Sequence, residues 1–563
     1  MAGMSMSSCG DFLNIYPLTM VYEDNYWNEK NDVDQIVTGC YTRMQDDDFV
    51  RRLFIWGESR SDNTRRGFHP NFSATSAEGY ILNENILSTN AYTDWSCFYD
   101  VINRCNLVIK KAPEVAEIDP NYLPSNVQTT IAEVTALRAL CYFYLVRTFK
   151  DVPYYTEAIT NDEQDVKLPA TDGDEIVRNL INDLLAVYPN ALKVWPKSSG
   201  KDISYGRITQ NAIFALLADM YLWLEDYPNA ERYAQMVIDA KTEYFEENYS
   251  TSYMVNGYPL LPDNDGTMFN PGYAYNWNFG EGGSPESIFE LDFTSSTTDG
   301  SKWNDVPAEF FNRFFRSNNK DPNPGLFAPA EDLWKEFNSP EIFLSTSDTR
   351  ISESLHPDNK QNPEIVHIAK YAYSSIYPSN DSYIQRLVKN DANWVFYRVS
   401  DMMLIKAEAL ICQMSDDTAE GDDNTDQAVT QRDDSLGQVA FELIKTVEDR
   451  SMPKSTSSLA YGSFSSKSQL LDLVFQERRR EFLFEGKRWF DLVRHARRDG
   501  NTDYLVNAVK SKFTENAATA TGKLKNMMAI YWPYNHDELQ VNENLKQNPA
   551  YPEVGDSYES TVK

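Results

Sequence analysis

Apolar residues recur with helical spacing in several separate blocks of the chain. The first clear block covers residues 92–112, where apolar and aromatic residues return every three or four positions, as they do on one face of an α-helix. Residues 131–149 repeat this spacing, and the predicted helix ends near Pro153 because proline cannot continue a helix. Residues 174–188 form a third block, closed by Pro189. The pattern predicts a mainly α-helical chain.

A helical hairpin is predicted over residues 211–240. An apolar residue, a leucine, a small residue and an aromatic precede two alanines, at Phe214, Leu217, Ala218, Tyr221, Ala230 and Ala234. This order resembles the tetratricopeptide pattern, in which small residues let two antiparallel helices approach closely. Residues 226–228 form the predicted turn, and residues 397–411 predict a further helix of this type. Long insertions separate these helices, so we expect a tetratricopeptide-like helical scaffold from which loops project.

Helical periodicity is missing from residues 241–393. This stretch is rich in aromatic residues, Gly, Pro, Asn and Ser, and within it residues 287–293 form the one clear strand pattern. A long segment with little regular structure usually carries function. The sequence therefore predicts a mainly α fold with a large irregular, loop-rich part and a few short β-strands.

The charge of the chain excludes some classes of partner. Its 84 acidic and 52 basic residues give a formal net charge of −32. A field of this sign repels nucleic-acid phosphates and anionic lipid head groups, so we expect no nucleic-acid partner. No run of about 18 apolar residues is evident, which predicts that no segment spans a membrane.

Motifs of catalysis and cofactor binding are absent from the sequence. It contains no GxSxG, HExxH, phosphate-binding loop or paired-glycine fingerprint, and its 5 histidines show no metal-ligand spacing. We therefore predict no enzyme, no cofactor and no metal site. A glycosidase needs only two carboxylates about 5–10 Å apart, and 84 acidic residues leave that alternative open. The acidic run 415–427 does not match the EF-hand calcium loop, and calcium binding there stays open.

Residues 475–495, FQERRREFLFEGKRWFDLVRH, interleave paired charges with apolar residues. The spacing allows ion pairs between neighbouring turns, namely Arg478 with Glu481, Glu485 with Arg488, and Asp491 with Arg488 or Arg494. Arginine suits partly buried pairs because its planar fork holds a carboxylate through two hydrogen bonds. We interpret the segment as an ion-pair network that joins two helices, in preference to an anion-binding site.

The same segment resembles the C-terminal signature of the SusD/RagB family of outer-membrane lipoproteins of Bacteroidetes. The matching residues are Glu477, Arg478, Glu481, Glu485, Gly486, Arg488, Asp491, Leu492 and Arg494. Two earlier helices also resemble family motifs, through Trp95, Tyr99, Ile102 and Asn106, and through Arg138, Ala139, Tyr142, Leu145, Asp151 and Pro153. Lys150 and Ala550 stand where the family usually has glycine. The resemblance covers nearly the whole chain.

The resemblance implies a function in nutrient uptake without catalysis. Such proteins are monomeric, bind oligosaccharides at the cell surface, and deliver them to a TonB-dependent, SusC-like β-barrel transporter. One branch of the family binds peptides, which is the alternative for this chain. A tetratricopeptide scaffold for protein partners is a further alternative.

The resemblance also implies how the chain is divided. Residues 1–9 are the expected remnant of a lipoprotein signal, because Cys9 follows small residues and precedes a family-like GDFLN. Lipid attached to Cys9 would place the protein on the outer face of the outer membrane and would be its only membrane contact. Residues 10–563 are expected to form a single domain, with a helical scaffold at about 30–240 and 394–563 and the loop-rich insertion at about 241–393.

A sugar ligand requires flat aromatic faces beside planar polar groups. Two stretches supply this mixture, around residues 58–70 and in the loops 271–303. The predicted ligand-binding residues are Asp62, Asn63, Arg65, Trp95, Tyr273, Tyr275, Trp277 and Trp303. In an extended segment Tyr273, Tyr275 and Trp277 would share one face. Packing within loops is the alternative for each aromatic, and a core position is the alternative for Trp95.

Overall fold

The computed structural model describes most of the chain. The described residues are 26–69, 72–161, 164, 166–198, 200, 202–263, 272–293, 303–304, 306–313, 323–333, 347–357, 366–371, 376–378, 383–385, 391–416, 426–452, 459–464, 466–513 and 516–552. The lipidation prediction at Cys9 and most of the acidic run 415–427 lie outside them.

Helices dominate the described residues. In chain order they are α1 Lys30–Met44, α2 Asp47–Gly57, α3 Ala77–Leu82, α4 Ser96–Ile118, α5 Pro124–Phe149, α6 Gly173–Val187, α7 Gln210–Trp223, α8 Tyr227–Asn248, α9 Tyr273–Asn276, α10 Thr349–Ser354, α11 Val399–Cys412, α12 Asp426–Arg450, α13 Lys467–Glu481, α14 Arg488–Asp499, α15 Asp503–Val509, α16 Ala517–Leu524 and α17 His536–Val541. The prediction of a mainly α fold is confirmed.

The strands are short and pair two by two, all antiparallel within the described residues. They are β1 Thr64–Arg66, β2 Val152–Pro153, β3 Ala170–Thr171, β4 Ser287–Leu291, β5 Asn312–Arg313, β6 Asn323–Pro324, β7 Phe327–Pro329, β8 Leu355–Pro357, β9 Val366–Ile368, β10 Ile376–Pro378, β11 Tyr383–Gln385 and β12 Trp394–Arg398. The strand predicted at 287–293 is confirmed as β4, which pairs with β12. The other strands were not predicted. Ten of them have only two or three residues, too few for a readable alternation, and β12 has five residues that are all buried and therefore do not alternate.

The chain divides into two compact units. Unit 1 consists of the described residues within 1–44, 86–183 and 526–563, and unit 2 of those within 45–85 and 184–525. The prediction of one domain over residues 10–563 stays a prediction.

Unit 1 is built around α5. This helix is long and apolar enough to cross a membrane by length and composition, contrary to the sequence-based expectation, but 89% of its apolar window is buried. It packs against α4, which in turn packs against α1. Arg138 on α5 donates to Asn106 Oδ1 on α4 at 2.8 Å and pairs with Asp183 at 2.8 Å. These contacts make α5 a core helix of unit 1.

Unit 2 contains the predicted helical hairpin, which is confirmed as α7 and α8. The side chain of Asp226 caps α8 by accepting from the backbone N–H of Asn229 at 3.3 Å, and such a cap fixes where a helix begins. Across the pair the rings of Tyr221 and Tyr233 stack with centroids 5.6 Å apart. Helix α11 packs against α7, α8, α12 and α13, so the hairpin belongs to a larger helical layer.

Candidate functional site

The charged C-terminal segment is a buried network, as predicted, although most partners come from elsewhere in unit 2. Arg478 forms a two-hydrogen-bond pair with Asp491 at 2.9 and 3.0 Å and also contacts Asp401 at 3.0 Å. Glu485 pairs with Arg398 and Lys370, each at 2.8 Å. These contacts replace two of the predicted local pairs, Arg478 with Glu481 and Glu485 with Arg488.

Glu481 is the hub of this network. Its carboxylate meets three buried arginines, Arg350 at 3.2 Å and, more closely, Arg398 and Arg450. Burial alone would raise the pKa of Glu481, but the arginines outweigh burial and hold that pKa well below its usual value. Of the predicted local pairs, Asp491 with Arg494 is confirmed at 2.9 Å.

Asp62 and Asn63 belong to the same buried network. Arg488 donates to both carboxylate oxygens of Asp62, at 2.8 and 2.9 Å. Arg479 donates to Asn63 Oδ1 at 2.9 Å, and the Asn63 amide donates to Glu58 Oε1 at 2.8 Å. Both predicted ligand residues are therefore buried with partners inside the chain, and we leave them out of the site.

Glu58 fixes the turn between α13 and α14. Its carboxylate accepts from the backbone N–H groups of Phe484, Gly486 and Lys487 at 3.1 to 3.3 Å. Burial raises the pKa of Glu58 to about 7 even though hydrogen bonds from Asn63 and the backbone oppose the rise. Gly57 lies so close that an added Cβ would be 1.8 Å from the carbonyl oxygen of Gly486. The two segments therefore pack backbone against backbone.

Trp95 and Tyr275 are also buried. In unit 1 the ring of Trp95 lies 5.0 Å from that of Phe149 and 5.3 Å from that of Tyr534, which is the core alternative considered for this residue. In unit 2 the Tyr275 hydroxyl donates to the Ala369 carbonyl at 2.7 Å. Neither ring presents a face to solvent.

Arg65 and Trp303 reach the surface of unit 2. Arg65 donates to Pro329 O at 3.0 Å and to the Glu331 carboxylate at 2.8 Å, and its guanidinium lies 5.6 Å from the ring of Phe68, which is 40% exposed. Trp303 is 39% exposed. Their assignment to the ligand site stays a prediction.

Tyr273 and Trp277 lie in a cluster of partly exposed rings. Tyr273 is 5.8 Å from Tyr253 and 5.5 Å from Trp277, and Trp277 is 6.2 Å from Tyr249. Tyr244 continues the series at 6.0 Å from Tyr249. We call Tyr244, Tyr249, Tyr253, Tyr273 and Trp277 the aromatic cluster. Four of its rings pack against the buried residues Phe245, Leu261 and Ala274, and Tyr273 packs against two of those rings.

Residues 273–277 are not extended, so the condition under which Tyr273, Tyr275 and Trp277 would share one face is not met. They form α9, which continues as a π-helical turn over Trp277–Glu281. In a helix residues four apart share a face, so Tyr273 and Trp277 stay together while Tyr275 points into the core. The cause lies in Asp263, whose Oδ1 accepts from the N–H groups of Ala274 and Tyr275 at 2.9 and 3.2 Å.

Asp263 acts together with a second buried carboxyl group. Glu353 Oε1 accepts from the N–H of Gly272 at 2.8 Å, and the side chains of Asp263 and Glu353 are hydrogen-bonded to each other. Burial raises the pKa of Asp263 to about 6, although Arg450 opposes the rise, and burial together with Asp263 raises that of Glu353. Two carboxyl groups this close hold a proton between them. We call Asp263 and Glu353 the carboxyl pair.

A cavity of about 720 Å³ adjoins the aromatic cluster, since Tyr244 belongs to both. Its other aromatic lining residues are Tyr188, Tyr205 and Phe214. Carboxylates and ammonium groups also line it, from Asp202, Asp239, Glu243, Glu247, Lys193 and Lys241. Its volume lies in the usual range for small-ligand sites.

Lys241 is the cation most closely engaged with the wall of this cavity. Its Nζ donates to the carbonyl oxygens of Pro285, at 3.0 Å, and of Ser287. Burial lowers the pKa of Lys241 to about 8, while Asp202, Glu290 and Glu286 oppose the shift. The ammonium therefore holds the chain before β4 against α8. Among the described residues no group of three or more His, Cys, Asp and Glu could hold a metal ion.

Comparison with known proteins places the chain in a family. The sequence model of the SusD family matches residues 349–551, and a second model, described as starch-binding associating with outer membrane, matches residues 11–222. The SusD-like protein P38 of Formosa agariphila is 24% identical over 584 aligned positions, covering 97% of this chain and 96% of the relative. The chain belongs to the SusD family.

Solved structures show the same fold. Surface glycan-binding protein A from Bacteroides thetaiotaomicron, in complex with laminarihexaose, aligns with a TM-score of 0.63 at 18% identity, over 93% of this chain and 100% of that one. A surface glycan-binding protein A from Bacteroides uniformis aligns with a TM-score of 0.64 at 20% identity, with the same coverage. The likeness in fold extends over 93% of the chain.

Sequence reasoning missed three rings of this SusD-family protein's aromatic cluster and the adjoining cavity. Tyr244 lies near the end of α8, and Tyr249 and Tyr253 follow beyond that end, at intervals of five and four. Aromatic residues at this spacing can indicate a ligand-binding surface, but they are equally typical of the buried face of a helix. The cavity has no signal of its own in the sequence, because its lining comes from four separate stretches between residues 188 and 288.

Proposed function

We propose that this protein binds oligosaccharides at the aromatic cluster and the adjoining cavity. The observation that carries the proposal is a set of five partly exposed rings, four of them packed against buried residues, beside a cavity with polar walls. Pyranose rings present flat CH faces that stack on aromatic rings, and their hydroxyl groups bond to neighbouring carboxylate and amide groups. Membership in the SusD family supports this function, since relatives are described as starch-binding or glycan-binding.

We also propose that the protein works as a surface lipoprotein. Cys9 would carry the lipid anchor, and the bound oligosaccharide would pass to a TonB-dependent, SusC-like β-barrel transporter in the outer membrane. The description of the family model supports association with that membrane. Mass spectrometry of the native protein should find an acylated Cys9, and purification from native membranes should recover a large β-barrel with it. An unmodified thiol at Cys9 would reject the anchor.

Removal of single rings tests the site. In Tyr273→Ala and Trp277→Ala we expect affinity for the bound polysaccharide to fall about ten- to a hundredfold, because each change removes roughly 1–3 kcal/mol of stacked apolar contact. Laminarin, starch and a mixed peptide digest would be titrated by calorimetry against the folded variants. The comparison variant is Phe68→Ala, which removes an exposed ring beside Arg65, outside the aromatic cluster.

The three variants separate the alternatives. Loss of binding in Phe68→Ala, with Tyr273→Ala and Trp277→Ala unchanged, would move the site to the surface around Arg65. Binding of the peptide digest in place of the polysaccharides would favour the peptide-binding branch of the family.

A further inference from the structure

We infer that the ligand of the aromatic cluster and cavity is an uncharged oligosaccharide, and that polysaccharides carrying carboxylate or sulfate groups are rejected. The inference rests on the proposed function and adds the chemical class of the sugar. It follows from the distribution of charge around the cavity.

Carboxylates form a stripe along the cavity wall. Asp239, Glu243 and Glu247 are all exposed and follow one another at intervals of four on α8. Residues four apart lie on the same face of a helix, so the three charges line one side of the cavity, next to Tyr244. Asp202 adds a fourth exposed carboxylate to the lining.

Positive charge on the cavity wall does not balance this stripe. Two of the described lining residues are lysines. Hydrogen bonds to the carbonyl groups of Pro285 and Ser287 leave the charge of Lys241 in place, so two ammonium groups stand against the four carboxylates. The net charge of the whole chain, −32, has the same sign as the stripe and adds to its repulsion of anions.

A uronate or sulfate group in this cavity would meet charges of its own sign. Like charges disfavour binding and slow the approach of the ligand. Hydroxyl groups of an uncharged sugar instead donate hydrogen bonds to carboxylates, and bonds to an ionised acceptor are stronger than neutral ones. The same stripe therefore repels an anionic glycan and holds a neutral one.

A panel of polysaccharides of both kinds tests the inference. Laminarin, starch, mannan and xyloglucan are uncharged, whereas alginate, pectate, carrageenan and heparin are anionic. We expect every polymer that binds to come from the first group. Chemical sulfation of a polymer that binds should lower its affinity about tenfold or more at low salt. The difference in affinity between the sulfated and the unmodified polymer should shrink when salt screens the exposed charges.

Removal of two charges provides the sharper test. The double variant Glu243→Gln/Glu247→Gln should bind the sulfated polymer about threefold or more tightly than the wild type does. It should bind the uncharged polymer about two- to tenfold more weakly, because the sugar hydroxyl groups lose two ionised acceptors. The control, Glu114→Gln/Glu117→Gln on α4, makes the same change in net charge and should bind both polymers as the wild type does.

The outcomes distinguish this inference from the proposed function. An anionic polysaccharide that binds to the wild type and is lost in Trp277→Ala would overturn the inference and leave the site in place. An equal gain in the control variant would attribute the effect to net charge and overturn the role of the stripe. Binding of no polysaccharide at all would remove the proposed function, and the inference with it.

Discussion

Arg488 is one of several arginines whose side chains are buried in unit 2 and matched to a carboxylate. Its guanidinium holds both oxygens of Asp62, and burial of the pair leaves neither group accessible to water. The pKa of Asp62 lies well below its usual value because Arg479 and Arg488 outweigh the effect of burial. The charged state of Asp62 therefore depends on its arginine partners.

Replacement of Arg488 by alanine should destabilise the protein strongly. The change leaves the carboxylate of Asp62 with one arginine fewer, and breaking a buried pair in this way costs about 3–5 kcal/mol. Denaturant unfolding followed by circular dichroism measures the effect. Arg432→Ala removes an exposed arginine and should change stability by less than about 0.5 kcal/mol. A stable Arg488→Ala protein that had lost glycan binding would instead place Arg488 in the ligand site.

Among the elements, helices and the hairpin could be predicted from the sequence, whereas most loop geometry could not. The spacing of Phe214, Ala218 and Ala230 involves residues close together in the sequence, so the helical hairpin can be predicted from the sequence alone. Helix α9 is different, because its helical form depends on Asp263, which lies ten residues before Tyr273. The folded chain brings the Asp263 carboxylate to the backbone N–H groups of Ala274 and Tyr275. The partners of Glu481 come from residues 350, 398 and 450, and no spacing in the sequence connects them.

The contact between α2 and the turn before α14 has almost no room for a side chain. In Gly57→Ala the new Cβ would lie 1.8 Å from the carbonyl oxygen of Gly486, so the two backbones must separate. We expect a loss of about 3 kcal/mol or more in the free energy of unfolding.

Thermal and denaturant unfolding check this prediction against a matched glycine. Gly522 in α16 has open space at its Cβ position, and Gly522→Ala should be neutral or stabilising by up to about 1 kcal/mol. Equal stability of the two variants would show that the backbones at Gly57 and Gly486 are not packed this closely.

On the scale of the whole molecule, buried carboxyl groups act on stability in two opposite directions as pH changes. Asp491 has its pKa lowered to about 2 because Arg478 and Arg494 outweigh burial, so it contributes stability at neutral pH that is lost in acid. The carboxyl pair has raised pKa values. The folded state therefore binds a proton more tightly than the unfolded chain does. This contribution is present in acid and is lost as pH rises through the raised pKa values, of which that of Asp263 is about 6.

The variant Glu353→Gln isolates the contribution of the carboxyl pair. Glutamine keeps a neutral group beside Asp263, while Arg450, Glu286 and Lys370, which also act on the pair, are unchanged. We expect the wild type to lose stability relative to the variant as pH rises from about 5 to about 8. Unfolding free energies at both pH values measure this difference. Glu331→Gln, at an exposed carboxylate, should follow the wild type, and a parallel pH profile for Glu353→Gln would contradict the prediction.

The bond between Arg488 and Asp62 also sets the order in which unit 2 can fold. The two residues are 426 positions apart, so the early segment leaves the ribosome long before its partner is made. Closing so long a loop is slow, because its entropy is lost before the contact forms. Until α13 and α14 have been synthesised, Asp62, Arg398 and Asp401 lack the charged partners beside which they are buried. Unit 2 therefore completes its packing after synthesis of its last helices and does not build up progressively from its N-terminal end.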